Sequence, residues 1–214
     1  MNQNYFVLSP GRCGSILTSY VIMHSLNSYY KREDYCQMQH VNAEYTKSKF
    51  DTPSTVYHCH SLEFNHVKRD DCDLIFVLRK NMIDACLSMY LADTIFKMYT
   101  IDSTVHQGNQ EKFDQILAQI PSKSIIVDPK NWIRYVKQFN SFSTYNLGKI
   151  SSLFKNVYSI YYEDFKDNYK CINTTLNIPI ENIPDLVLTK KLPYDKWDLI
   201  KNKQEIIDLF QQQV

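Results

Sequence analysis

Glycine is scarce in this 214-residue chain, four residues in all, which excludes glycine-rich linkers, and no internal repeat or low-complexity stretch breaks the sequence. The six cysteines (Cys13, Cys36, Cys59, Cys72, Cys86, Cys171) form no Cys-x-x-Cys pair. That removes the usual zinc and dithiol motifs and makes reduced intracellular thiols the expected state. No apolar run approaches the length needed to span a bilayer, and the opening Met-Asn-Gln-Asn lacks the charged flank and apolar core of a secretory signal. A cytoplasmic protein without a membrane span is therefore expected. The formal net charge is only +1, so no global field steers nucleic acid, and no nucleic-acid partner is expected. Any basic site must be local. Gly-Lys-Ser and Gly-Lys-Thr are also missing, so the ATPase type of phosphate loop is absent and magnesium-dependent phosphoryl transfer is disfavoured.

At 25.3 kDa, with 44% hydrophobic and 22% charged residues, the chain suits one well-buried core, and a single domain over residues 1–214 is expected. Its most informative stretch is Tyr5-Phe-Val-Leu-Ser-Pro-Gly-Arg-Cys-Gly-Ser-Ile-Leu-Thr18. This reads as a buried strand, a tight turn and the start of a helix. Gly11 and Gly14 let backbone amides approach a ligand, Arg12 adds a fixed positive charge, and Ser15 opens a segment with Ile16, Leu17, Tyr20 and Val21 at helical spacing. The unpaired amides at that helix start would face the turn and suit a doubly charged oxyanion. A simple tight turn fits the same residues, and Cys13 reads as a small residue that fits it.

Further along, Tyr29–Thr52 reads as a polar, aromatic loop with at most one short helix. Glu33 within it is a reserve candidate for a general base, although Glu33 and Asp34 also read as a solvated acidic pair. Thr55–His60 has strand composition after Pro53, with Val56, His58 and His60 on one side. A histidine at the carboxyl end of a parallel strand suits proton abstraction, and two structural histidines fit equally. Asp73–Leu78 is the clearest buried strand, and Arg79 follows it. Asn81 then caps a helix carrying Ile83, Leu87, Tyr90, Leu91 and Ile95 on one face. Arg79 and Ser88 could bracket a phosphate, or could be a surface ion pair and a solvated hydroxyl. Helices are expected over Gln110–Gln119, from Pro129 through Trp132, Tyr135, Val136 and Phe139 packed on the sheet, and over Asp198–Gln212. Val157–Tyr162 is a further strand, followed by Glu163-Asp164 and a helical segment through Leu176. The alternation predicts an α/β fold with a central parallel sheet, helices on its faces and right-handed crossovers.

Three blocks in order, SPGRCGSILT (residues 9–18), LIFVLRKNMIDACLSMY (74–90) and YSIYYEDFKDN (158–168), resemble the sulfotransferases that use 3′-phosphoadenosine 5′-phosphosulfate (PAPS). The resemblance covers the sheet framework and implies the phosphate-loop-like sulfotransferase fold, with sulfuryl transfer to a hydroxyl or an amine and no metal. It implies that Arg12, Cys13, Gly14, Ser15 and Ile16 surround the phosphosulfate, that Arg79 and Ser88 take the 3′-phosphate, and that Tyr162 lies near the adenine. His60 matches the family's base, and His58 falls where the cytosolic branch often has a lysine; both would act with Arg12 in catalysis. Some members use a glutamate base, which retains Glu33. Arg79 and Ser88 stand nine residues apart, against eight usual in the cytosolic branch. That branch's arginine-lysine-glycine closing segment has no clear match here, and Lys190 or Lys191 is the expected substitute. A small-molecule, glycan or lipid acceptor is implied without being specified. A small-molecule or nucleotide kinase of related fold, and a non-catalytic nucleotide-binding module, are the alternatives.

Overall fold

The protein is seen here as a computed structural model, and the structure describes residues 4–33, 35–40, 54–60, 62, 69–98, 119–165, 170–178 and 195–214. In chain order these hold β1 (Asn4–Leu8), α1 (Ser15–Tyr30), β2 (Gln37–His40), β3 (Thr55–Cys59), β4 (Arg69–Leu78), α2 (Met82–Met98), α3 (Pro129–Ser143), α4 (Gly148–Ser151), β5 (Phe154–Tyr161), α5 (Tyr162–Phe165), α6 (Lys170–Leu176), a 3₁₀ turn (Lys196–Leu199) and α7 (Lys203–Gln211). The chain divides into two compact units. The first comprises Met1–Lys80 with Phe142–Leu186, and the second Asn81–Ser141 with Val187–Val214.

The first unit is built on a central parallel sheet, five strands among the described residues, in the order β2-β3-β1-β4-β5. Every residue of β1 and β3 is buried, as continuous apolar strands covered on both faces should be. Side-chain alternation sorts them into two cores. Tyr5, Val7, Val56, Ile75 and Val77 face Val21, Ile22 and Leu26 of α1 together with Phe165, Ile172 and Leu176. Phe6, Leu8, Tyr57, Leu74 and Phe76 face the other way, onto Phe142, Ile150 and Phe154. Burying each of these large side chains contributes about 1.5–3 kcal/mol. Helix α1 meets the sheet through small hydroxyl residues, with Ser15, Thr18, Ser19 and Ser25 all buried, so its axis can approach closely. The Ser25 hydroxyl turns back to the Val21 carbonyl at 2.6 Å and accepts from Asn173 Nδ2 at 2.9 Å, which ties α6 to α1.

Several boundaries differ from the sequence reading, each for a local reason. Gln37–His40 is a strand although Tyr29–Thr52 reads as loop; its Gln-Met-Gln-His sequence carries no apolar run, and pairing with β3 makes it a strand. Tyr162 begins the α5 turn and does not end β5, because the acidic pair Glu163 and Asp164 occupies a helical first turn. The segment expected to be helical through Leu176 is two short helices, α5 and α6.

In the second unit Asp128 opens α3. Its carboxylate accepts from the Lys130 amide at 3.2 Å and from Asn131 Nδ2 at 2.7 Å, with Pro129 at the first helical position. The predicted stripe Trp132, Tyr135, Val136 and Phe139 is buried. These four residues belong to this second unit and not to the sheet-bearing one, and the Trp132 indole donates to the Ile206 carbonyl of α7 at 3.0 Å. The expected Asp198–Gln212 helix is interrupted. Ile200 pairs in parallel with Ile125, and the Lys201 amide donates to the Ile125 carbonyl at 2.8 Å, so the chain is extended there and α7 starts only at Lys203. The expected Gln110–Gln119 helix lies outside the described residues, apart from Gln119 in a turn. No helix among the described residues is long and apolar enough to cross a membrane.

Candidate functional site

All five strands run the same way, so their carboxyl ends share one edge of the sheet. From β1 the chain goes to β2 at the edge of the sheet, returns to β3 beside β1, and then crosses to β4 and β5 on the other side. The carboxyl end of β1 thus lies at the reversal of strand order, where open sheets form their crevice. The turn between β1 and α1 occupies that place.

This turn is backbone under constraint. Arg12 adopts the left-handed conformation at φ 65°, an uncommon state for a residue with a side chain, and Gly14 follows at φ 83°. Gly14 is the cap residue of α1 and brings no side chain to its amides, and no acidic residue stands in the first helical turn. The start of this sixteen-residue helix therefore carries no capping side chain and no acid of its own on its amides. Thr18 holds the turn from below, its hydroxyl donating to the Gly14 carbonyl at 3.0 Å. Cys13 and Ser15 are buried in the turn, while Ile16 is half-buried.

Arg79, directly after β4, contributes a second guanidinium. Its Nη1 donates to the Arg12 carbonyl at 3.4 Å, its Nε donates to Glu163 Oε1 at 2.7 Å, and its carbon Cζ lies 4.6 Å from the centre of the Tyr162 ring. Burial lowers the pKa of Arg12, the Tyr162 phenol works against that, and the Arg79 charge lowers it further. The Tyr162 ring rests against the glycine of the turn: a Cβ on Gly14 would fall 2.4 Å from Tyr162 Cδ2. Turn, arginine and tyrosine form one packed group.

His60 follows β3. Its Nδ1 lies 3.0 Å from the Ser9 carbonyl, with the Ser9 hydroxyl at 3.5 Å. A carbonyl oxygen can only accept, so Nδ1 carries the proton in the neutral ring and Nε2 carries the lone pair. His58, buried in β3 on the α1 side of the sheet, meets the His60 ring edge-on at 5.8 Å between centres.

Glu33 does not join this group. Glu33 is exposed beyond the carboxyl end of α1, where Asn27 Nδ2 holds its carbonyl at 2.9 Å. Sixteen helical residues, about 24 Å of rise, separate it from the turn at Arg12. The structure does not bring it to His60. Ser88 belongs to the second unit, where its hydroxyl accepts from Lys196 Nζ at 2.7 Å. Lys196 also donates to the Asp84 carbonyl at 2.8 Å, and the Trp197 indole donates to Asp84 Oδ1 at 2.8 Å. Lys190 and Lys191 lie outside the described residues.

Sequence reasoning passes over Glu163 as a site residue. Glu163 sits in the Tyr-Glu-Asp run, in which only the tyrosine was given a role; the signal was an acid at the end of the strand that neighbours the one bearing Arg79. Fold and geometry define an α/β protein with a strained, arginine-bearing strand-turn-helix at the centre of a parallel sheet. No protein-family model matches the chain, and no curated protein does.

Proposed function

We propose that the protein transfers a sulfuryl group from PAPS to an acceptor hydroxyl or amine, using a sulfotransferase type of phosphate loop. The observation that carries this reading is the grouping, within one unit, of the strained Arg12–Gly14 turn, Arg79, Tyr162 and a histidine whose Nε2 bears a lone pair. The residues suit the donor. An uncapped helix start with an arginine offers amide and guanidinium donors to a phosphosulfate without a metal ion, and Arg79 offers a forked cation to a second phosphate.

When bound, PAPS would supply the sulfuryl group, its bond to the 5′-phosphate oxygen breaking as the acceptor's oxygen or nitrogen bonds to sulfur. His60 Nε2 takes the acceptor proton as that bond forms, and the Ser9 carbonyl steadies the resulting imidazolium through Nδ1–H. Arg12 and the amides of the turn stabilise the negative charge gathering on the phosphate oxygen that departs. His58 supports the His60 ring through their edge-on contact. The acceptor class, whether small molecule, glycan or lipid, and a cytoplasmic location belong to the same proposal.

The test is a thermal-shift comparison followed by turnover. Adenosine 3′,5′-bisphosphate at about 100 times its dissociation constant adds roughly 2.7 kcal/mol and raises the midpoint by roughly 5–10 °C. ATP with magnesium gives no such rise. His60→Ala keeps the bisphosphate shift and loses on the order of 100-fold in turnover. Stabilisation by ATP and magnesium alone would make the chain a kinase; a bisphosphate shift with no sulfuryl transfer to any acceptor would make it a binding module.

A further inference from the structure

The Arg79–Glu163 pair has an unusual form. An arginine and a carboxylate commonly meet fork to fork through two parallel bonds, and a pair of that kind would consume the edge with which an arginine grips phosphate. Here the carboxylate is divided. Oε1 accepts from Arg79 Nε at 2.7 Å, while Oε2 accepts from the Lys80 backbone amide at 2.9 Å. With Oε2 held by the amide, Glu163 cannot swing round to chelate the guanidinium. The side chains of Arg79 and Glu163 are only 14% and 20% exposed, so the arrangement is packed in place. The Arg12 carbonyl takes Nη1 and the Tyr162 ring covers one face. Among the described residues Nη2 has no hydrogen-bond partner.

We infer that Glu163 is a positioning residue for anion recognition: it holds Arg79 by Nε alone and reserves the Nη2 amino group for a phosphate of the nucleotide, the 3′-phosphate in a PAPS-type ligand. This rests on the proposed function for the identity of the ligand. The division of the carboxylate rests on geometry alone. The neighbouring Lys80–Asp164 pair is exposed and takes no part in the division.

The experiment measures dissociation constants by calorimetry for adenosine 3′,5′-bisphosphate and adenosine 5′-phosphate, and takes their ratio as the contribution of the 3′-phosphate. In Glu163→Gln one amide face repels either Arg79 Nε–H or the Lys80 N–H, so the ratio falls on the order of tenfold while adenosine 5′-phosphate binding stays within about twofold. Arg79→Ala removes the ratio at least as fully. Glu163→Asp, charged but one methylene short, gives an intermediate loss and reads the same quantity if the glutamine variant does not fold. A merely structural role would weaken both ligands together and leave the ratio intact, which overturns the inference. So does a Glu163→Gln ratio within about twofold of wild type when Arg79→Ala has abolished it. If the unaltered protein does not distinguish the two nucleotides, the proposed function itself fails, and the inference falls with it.

Discussion

Gly14 has no room for a side chain. Its φ of 83° disfavours any residue with a Cβ, and the Tyr162 ring occupies the place where that atom would go, 2.4 Å from Cδ2. Gly14→Ala is expected to cost about 2–4 kcal/mol in urea denaturation, from left-handed backbone strain and overpacking together. Combining it with Tyr162→Ala separates the two causes, because the steric part vanishes with the ring and the strain part stays. Strict additivity of the two substitutions would show that the ring is not what excludes a side chain. At this scale the sequence was informative: two glycines around an arginine after an apolar run marked the turn. The Arg12 backbone at φ 65° was not legible, because arginine carries no conformational signature of its own and is held there by its surroundings.

Between elements, Glu163 joins the end of β4 to the α5 turn that follows β5, through Arg79 and the Lys80 amide. Burial raises its pKa, but the amides of Lys80 and of Glu163 itself, then the charge and hydrogen bond of Arg79, lower it more, and the net value lies below the ordinary glutamate range. A group with a depressed folded value contributes stability above its unfolded pKa of about 4.3, and that contribution is lost as pH falls through the folded value. Wild type should therefore exceed Glu163→Gln in urea midpoint at pH 7, with the gap closing as the pH drops below about 4.3. A gap that does not change with pH would show that the carboxylate's charge adds nothing to the clamp. The two partners are 84 positions apart, and no local pattern records such a contact. Strand β2 escaped notice for a similar reason, since its polar residues form a strand only by pairing with β3.

At the scale of the molecule, the sheet-bearing unit carries one buried layer on each face of its sheet. Phe76 is buried and stacks on Phe142 at 6.1 Å between ring centres. Phe76→Ala should cost about 3–5 kcal/mol, measured by far-ultraviolet circular dichroism. Both tryptophans, Trp132 and Trp197, belong to the second unit, so their fluorescence would not report the sheet directly. A loss below about 1 kcal/mol would mean that the core around Phe76 collapses to refill the space. The amino-acid order by itself determined the β1 strand, the turn and α1, the β4 strand ahead of Arg79, and the α/β class, because apolar runs, glycine placement and helical spacing act over a few neighbouring residues. Only the tertiary structure decided the strand order, the tautomer of His60 through the Ser9 carbonyl, and the shared hold of Arg79 and Lys80 on Glu163. These depend on groups far apart in the chain, brought together when the sheet buries both its faces, and neither partner's neighbours in sequence specify the other.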